Sequence, residues 1–180
     1  MPNSSPQDEP SVDSRVAYEG KIVNLRVDTV SLPEGKLGTR EIVEHVPCVC
    51  VVPLDDDGNV VMVRQYRKPV EELLLEVPAG GMDPGESPQD AAHRELREET
   101  GYVAGELVHL SSFWTTPGFC TELMHAYVAR GLRPGAPSQD EDENIEVVRV
   151  PLSGAPDLIR RGEIRDAKSI ASLLLVLNPQ

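Results

Sequence analysis

The chain has 180 residues, a length typical of one domain and sufficient to bury a hydrophobic core. Its formal net charge of −13 argues against a nucleic-acid partner, because binding to that polyanion depends on Lys and Arg. No apolar run, including SIASLLLVL, approaches the ~20 residues that a membrane helix needs. Three cysteines do not make a disulfide framework, so we expect a cytoplasmic protein that binds neither nucleic acid nor membranes.

The N-terminal part of the chain predicts a polar tail followed by strands. Residues 1–15 are rich in Pro and Ser, which predicts a disordered tail. The segment KIVNLRVDT alternates apolar and polar residues, as a half-buried strand does. TREIVEHVPCVCVVPL predicts one longer strand whose second half is covered on both faces. We interpret Cys48 and Cys50 as small strand side chains on one face, in preference to a metal-binding pair.

The acidic segment LDDDGNVV resembles the start of an EF-hand calcium loop, but the glutamate that such a loop requires does not follow. An Asp-Gly hairpin turn joining two strands is the better interpretation. Further along the chain, the patterns predict four more strands, a helix at 87–100 and two C-terminal helices. The predicted strands are ELLLEVPAG, LVHLSSFWTT, ELMHAYVAR and IEVVRVPL, and the C-terminal helices are APDLIRRG and DAKSIASLLLVLN. This order predicts an α+β fold, an α/β/α sandwich with a mixed sheet.

The helix at 87–100 has start and stop signals that agree. Ser87 is a good N-cap, Pro88 suits the first helical position, and Asp90 completes a capping arrangement. Gly101 supplies the C-terminal stop. The sequence therefore predicts a short, well-defined helix.

Three glutamates on this helix lie on one side. Glu95, Glu98 and Glu99 are spaced i, i+3 and i+4, where like charges destabilise a helix by about 0.2–0.5 kcal/mol per pair. They also lie near the negative end of the helix dipole. A solvated acidic face, with Arg94 helping through its i,i+4 partner Glu98, is one interpretation, and a cation site is the other.

The wider spacing decides between them. Five residues separate Gly80 from Glu86, seven more lead to Arg94, and the run from there is Glu-Leu-Arg-Glu-Glu-Thr-Gly-Tyr. This pattern resembles the Nudix box, G-x5-E-x7-R-E-U-x-E-E-x-G-U, where U is a bulky aliphatic residue. Only Tyr102 departs, because it is aromatic. The resemblance implies a Nudix fold and metal-dependent hydrolysis of nucleoside diphosphates linked to another group.

The resemblance also implies roles for the residues of the box. Glu95 and Glu99 match its metal-ligand positions, and the carbonyl of Ala79 is a further implied ligand. Mg²⁺ is the expected ion, with Mn²⁺ possible, since oxygen ligands suit both. We expect Arg94 to orient the glutamates. Glu86 is either a ligand or a residue that fixes the loop.

A second motif, TTPGF, narrows the range of possible substrates. Pro117 lies fifteen residues beyond the end of the box, which resembles the ADP-ribose pyrophosphatase subfamily, and Gly118 and Phe119 complete that stretch. The resemblance covers roughly residues 20 to 178 and implies hydrolysis of ADP-ribose to AMP and ribose 5-phosphate. Alternatives are another nucleoside diphosphate sugar such as GDP-mannose, or a catalytically idle module that binds a nucleotide as a sensor.

The acidic loop PSQDEDENIEVV has the composition of a solvated connection. In the subfamily a similar loop closes over the substrate, which implies Glu141 as catalytic base and Glu143 as a metal ligand. The reverse assignment stays open. If neither acts, Glu98 is the first alternative base.

Other residues are expected to bind substrate or a partner subunit. Arg67, at the end of RQYR, is the best cation for the phosphates, although a surface role for a strand-end Arg is equally compatible. Arg40 and Glu41 match a segment that in the subfamily approaches the adenine end across a dimer interface. We therefore expect an N-terminal antiparallel β region at 16–45 that forms a homodimer, followed by the hydrolase domain at 46–180.

Overall fold

A computed structural model describes residues 8–135 and 144–179. The chain divides into two compact units. The first comprises Met1–Val46 with Thr116–Glu122, and the second comprises Pro47–Thr115 with Leu123–Gln180.

The first unit contains an antiparallel sheet of three strands in the order β1-β2-β3. The strands are β1 (Ser11–Glu19), β2 (Asn24–Ser31) and β3 (Leu37–Glu44). The predicted disordered tail of 1–15 was too long, because β1 begins at Ser11. The hydroxyls of Ser11 and Ser14 donate to the buried carboxylate of Asp28 on β2, at 3.1 and 2.7 Å, so polar residues that look like a tail are held in the sheet.

The second unit contains the remaining strands and all three α-helices that the structure describes. In chain order they are β4 (Cys48–Pro53), β5 (Asn59–Arg67), β6 (Glu72–Glu76), β7 (Ala79–Gly81), α1 (Pro88–Thr100), β8 (Tyr102–Val103), β9 (Glu106–Trp114), β10 (Leu123–Arg130), β11 (Arg133–Pro134), β12 (Ile145–Pro151), α2 (Ala155–Arg160) and α3 (Ala167–Leu177). A mixed sheet has the order β7-β4-β10-β9, with β4 and β10 parallel. An antiparallel sheet has the order β12-β5-β6, and β11 pairs with β8.

Strand β4 lies at the centre of the core and is buried at every position. Val49 and Val51 pack with Leu96 of α1 in one apolar cluster, whereas Cys48 and Cys50 belong to the cluster that contains α3. Side chains that alternate along a strand point to opposite faces, so both faces of this sheet are covered by helices. The predicted α+β fold and the placement of the two cysteines on one face are confirmed.

Three predictions about strands were wrong in detail. ELLLEVPAG forms two strands, β6 and β7, which belong to different sheets. TREIVEHVPCVCVVPL forms two strands, because the chain leaves β3 at Glu44 and enters β4 at Cys48, after Pro47, which has no N–H to donate. The turn at Asp55–Gly58 exists, with Gly58 at φ 79°, but it does not join a hairpin. An isolated antiparallel bridge joins Leu54, just after β4, to Val60 of β5. β4 and β5 themselves belong to different sheets, because β4 pairs with β10 and β7 instead.

Candidate active site

Helix α1 forms where its local signals predicted. The Ser87 hydroxyl accepts a hydrogen bond from the backbone N–H of Asp90 at 3.2 Å and donates to the Asp90 carboxylate at 2.6 Å. Gly101 ends the helix at φ 72°, a left-handed conformation that costs little without a Cβ. These caps set where the helix begins and ends.

That side carries two buried carboxylates. Glu95 and Glu99 are only 9% and 3% exposed, and they lie one turn apart against β7. The backbone N–H of Ala79 donates to Oε2 of Glu99 at 3.2 Å. At Gly80 a Cβ would stand 2.1 Å from Oε1 of Glu95, so only glycine allows this close approach.

Arg94 organises the acidic groups around it. Its guanidinium contacts Glu95 at 2.6 Å and Glu98 at 3.1 Å, donates to the Gly81 carbonyl at 2.9 Å, and makes two bonds of 3.0 and 2.9 Å to Glu86. The hydrogen bonds with Glu86 are the largest of the effects that raise the pKa of Arg94. This geometry agrees with the predicted orienting role of Arg94.

Glu86 has both carboxylate oxygens engaged. Besides Arg94, it accepts a bond from the backbone N–H of Asp83 at 3.0 Å. The Arg94 bonds lower the pKa of Glu86, so it stays ionised. Of the two roles left open by the sequence, fixing the loop has the better geometric support, and metal ligation by Glu86 stays a prediction.

The residues on α1 and β7 fit a divalent cation held by oxygen ligands. Two carboxylates buried side by side are costly without a compensating charge. Their oxygens, with the backbone of Ala79 beside them, form the hard donor set that Mg²⁺, Mn²⁺ or Ca²⁺ uses. The close approach at Gly80 brings Glu95 against the same stretch of backbone.

Arg67 lies in a charged cluster that the sequence did not predict. Its Nε and Nη2 donate to the two carboxylate oxygens of Glu76, at 2.9 and 2.7 Å. Lys168 of α3 donates to the same carboxylate at 2.5 Å. Burial raises the pKa of Glu76, but the bonds from Arg67 and the charge of Lys168 outweigh it and the pKa is lowered. The sequence feature that could have pointed to this cluster is Glu76 itself, a charged residue at the end of the apolar run LLLE.

The predicted substrate residues of the first unit line one cavity of about 400 Å³. They are Arg40, Glu41, Pro117, Gly118 and Phe119. Two backbone hydrogen bonds hold the loop that contains residues 117–119 against Val43. The N–H of Val43 donates to the Phe119 carbonyl at 2.7 Å, and the Val43 carbonyl accepts from the N–H of Thr121 at 3.0 Å. Their role in substrate binding stays a prediction.

Arg40 has its own carboxylate partner in this cavity. Its Nε and Nη2 contact the two oxygens of Glu9 at 2.7 and 2.5 Å.

The predicted base Glu141 and ligand Glu143 lie outside the described residues.

Comparison with known proteins identifies the family. The NUDIX domain family matches residues 44–173, and the family described as nucleoside diphosphate sugar hydrolase N-terminal domain matches residues 11–43. The chain belongs to the Nudix family. It is a Nudix hydrolase and therefore metal-dependent, as its sequence resemblance implied.

The similar Nudix proteins cover nearly the whole chain. The ADP-ribose pyrophosphatase of Bacillus subtilis (strain 168) is 41% identical over 90% of this chain and 89% of its own length. The methanol dehydrogenase activator of Bacillus methanolicus is 40% identical over 92% of this chain and 91% of its own. A crystal structure of an ADP compounds hydrolase superposes with a TM-score of 0.87 and 27% identity, covering 97% of this chain and 95% of that one. Among residues 8–135 and 144–179, no helix is long and apolar enough to cross a membrane.

Proposed function

We propose that this Nudix hydrolase cleaves ADP-ribose to AMP and ribose 5-phosphate with Mg²⁺, and that Mn²⁺ can replace it. The observation that carries the substrate assignment is the 41% identity, over 90% of the chain, to an ADP-ribose pyrophosphatase. The cavity lined by Arg40, Glu41 and residues 117–119 supports it. This cavity brings the TTPGF stretch together with Arg40 and Glu41, and both segments resemble the ADP-ribose pyrophosphatase subfamily.

In this proposal the metal is held by Glu95, Glu99 and the carbonyl of Ala79. A divalent cation in such a site supplies Lewis acidity to the diphosphate oxygens and to the attacking water. Arg94 keeps Glu95 in place through its 2.6 Å bond. Glu86 fixes the loop before α1 through Asp83, as its bonds indicate.

The remaining residues bind and position the substrate. Arg67 holds a phosphate of the diphosphate. Arg40 and Glu41 contact the adenine end across the dimer interface, and Pro117, Gly118 and Phe119 are further substrate-binding residues. We assign Glu141 the role of the base, which takes the proton of the water as its oxygen bonds to phosphorus and the bond to the bridging oxygen breaks, and Glu143 would be a further metal ligand. Glu98 is the alternative base.

We also propose a homodimer formed through the N-terminal sheet. β1 is an edge strand, and its apolar side chains Val12, Val16 and Tyr18 are 59–61% exposed. Exposed apolar side chains on an edge strand favour association with another chain. Sedimentation velocity tests this assembly, and a monomer at micromolar concentration would contradict it. We also propose a cytoplasmic location, because reduced thiols such as those of Cys48, Cys50 and Cys120 suit that compartment.

A substrate panel with Mg²⁺ and with Mn²⁺ tests the proposed function. ADP-ribose should give the highest kcat/KM among ADP-ribose, GDP-mannose, NADH, diadenosine polyphosphates and nucleoside triphosphates. If another compound leads by tenfold or more, which is about 1.4 kcal/mol in transition-state binding, the ADP-ribose assignment is wrong while the Nudix family assignment remains.

A further inference from the structure

Glu76 is a buried carboxylate that none of the proposed roles uses. It ends strand β6 and is 1% exposed, deeper than either carboxylate of the proposed metal site. Charged side chains are almost never fully buried unless they are paired, so its position demands compensation.

The compensation comes from two cations with different geometry. Arg67 makes a bidentate contact, Nε to Oε1 at 2.9 Å and Nη2 to Oε2 at 2.7 Å, which fixes the plane of its guanidinium. Lys168 donates to Oε2 at 2.5 Å and also contacts Asp166 at 2.9 Å. Glu76 is thus shared between two cations, and Lys168 has the carboxylate of Asp166 as a second partner.

The third nitrogen of Arg67 is available. Its side chain is 38% exposed, and Nη1 has no hydrogen-bond partner among the residues that the structure describes. The carboxylate of Glu99 lies near enough that, after the bonds to Glu76, its charge helps to raise the pKa of Arg67. Arg67 is therefore in the neighbourhood of Glu99 on helix α1.

We propose that Glu76 is a positioning residue, which holds the Arg67 guanidinium in the plane from which Nη1 meets a phosphate oxygen of the nucleoside diphosphate substrate. The inference rests on the proposed function, since it takes that class of substrate as given. The competing explanation is that the cluster only stabilises the contact between β6 and α3.

A double-mutant cycle separates these explanations. We would measure ADP-ribose binding by calorimetry in EDTA, without metal, for wild type, Arg67→Ala, Glu76→Gln and the double variant. We expect Glu76→Gln to weaken binding about tenfold in the wild type, or about 1.4 kcal/mol, but less than twofold when Arg67 is already alanine. Equal losses in both backgrounds, or wild-type binding by Glu76→Gln, would overturn the proposal.

Glu72→Gln is the matched control. Glu72 lies on the same strand and pairs with Arg165 at the surface, so its loss should leave ADP-ribose binding unchanged. Lys168→Met breaks the same buried cluster but keeps both bonds between Glu76 and Arg67. It should lower the melting temperature yet weaken binding less than Glu76→Gln does, and an equal weakening would favour the purely structural explanation.

A second variant and a second ligand cover the cases in which Glu76→Gln does not fold or ADP-ribose is not the substrate. If Glu76→Gln does not fold, Glu76→Asp keeps the charge but draws the carboxylate back by one methylene, and it should give the same non-additive cycle. If wild-type protein prefers another nucleoside diphosphate, the substrate assignment fails. The cycle is then run with that compound, and the same two outcomes, equal losses in both backgrounds or wild-type binding by Glu76→Gln, count against Glu76.

Discussion

Replacing Gly80 by alanine should displace one proposed metal ligand without unfolding the protein. An added Cβ would lie 2.1, 2.2 and 2.4 Å from Oε1, Cδ and Oε2 of Glu95, well inside an ordinary contact of 3.4 Å. The obstacle is the end of a flexible side chain, so the carboxylate can move while β7 stays paired with β4. Glu95 must shift by roughly 1 Å, which would also disturb its 2.6 Å bond with Arg94.

A displacement of that size is large for catalysis. A misplacement of about 1 Å can reduce a rate roughly 100-fold, which is about 3 kcal/mol in activation free energy. We therefore expect Gly80→Ala to lower kcat/KM on that scale and to raise the Mg²⁺ concentration needed for half-maximal rate. Initial rates over a Mg²⁺ titration measure both quantities, and thermal unfolding checks the fold.

Gly154→Ala provides the matched control. Gly154 has φ −85° and no atom within 4 Å of an added Cβ, so alanine there should change neither rate nor metal dependence. If Gly80→Ala retains wild-type rates at the same Mg²⁺ concentrations, Glu95 is not the metal ligand that we propose.

Three further predictions follow from the site. Glu99→Gln keeps the shape of the side chain and removes its charge, so turnover should fall at least ~100-fold while the metal-free protein stays folded; near-normal rates at ordinary Mg²⁺ would remove Glu99 from the ligand set. Glu141→Gln should lower kcat with little change in KM, whereas Glu143→Gln should raise the Mg²⁺ concentration needed for half-maximal rate. If both variants keep wild-type rates across a Mg²⁺ titration, the acidic loop has no catalytic role. The lowered pKa of Glu76 contributes stability that is present above its ordinary value of 4.5 and is lost as pH falls through the folded-state value. Acid titrations of unfolding free energy should therefore show a shallower decline for Glu76→Gln than for wild type, and parallel curves would contradict the assignment.

Local signals explain why helix α1 could be predicted. Ser87 and Gly101 act within one turn of the helix ends, and their hydrogen bonds form as the sequence pattern indicates. The spacing of the glutamates then fixes which side of the helix is acidic. A site built on one helix and the turn before it is readable because every contact is close in sequence.

Strand pairing was less predictable, because it depends on distant partners. The Asp55–Gly58 turn has the chemistry of a hairpin, yet β4 and β5 pair elsewhere. β4 is apolar on both faces and lies between β7 and β10. Likewise, the polar start of β1 shows no hydrophobic pattern, and Asp28 holds it only once the sheet forms.

The cluster around Glu76 illustrates the same limit within the site. Lys168 lies 92 residues from Glu76 in sequence, and no sequence pattern links the two residues. The sequence identified Arg67 as a cation for phosphate but gave no indication of the carboxylate that binds two of its nitrogens. Such contacts become visible only when the packing of α3 against β6 is known.

Product analysis of ADP-ribose incubated with the purified protein tests the central claim most directly. With Mg²⁺ present, we predict that ADP-ribose disappears and that AMP and ribose 5-phosphate form in equal amounts, and that EDTA stops the reaction. Chromatography quantifies all three compounds in one run. If ADP-ribose stays intact with folded protein and either Mg²⁺ or Mn²⁺, or if it yields products other than this pair, the proposed function is wrong.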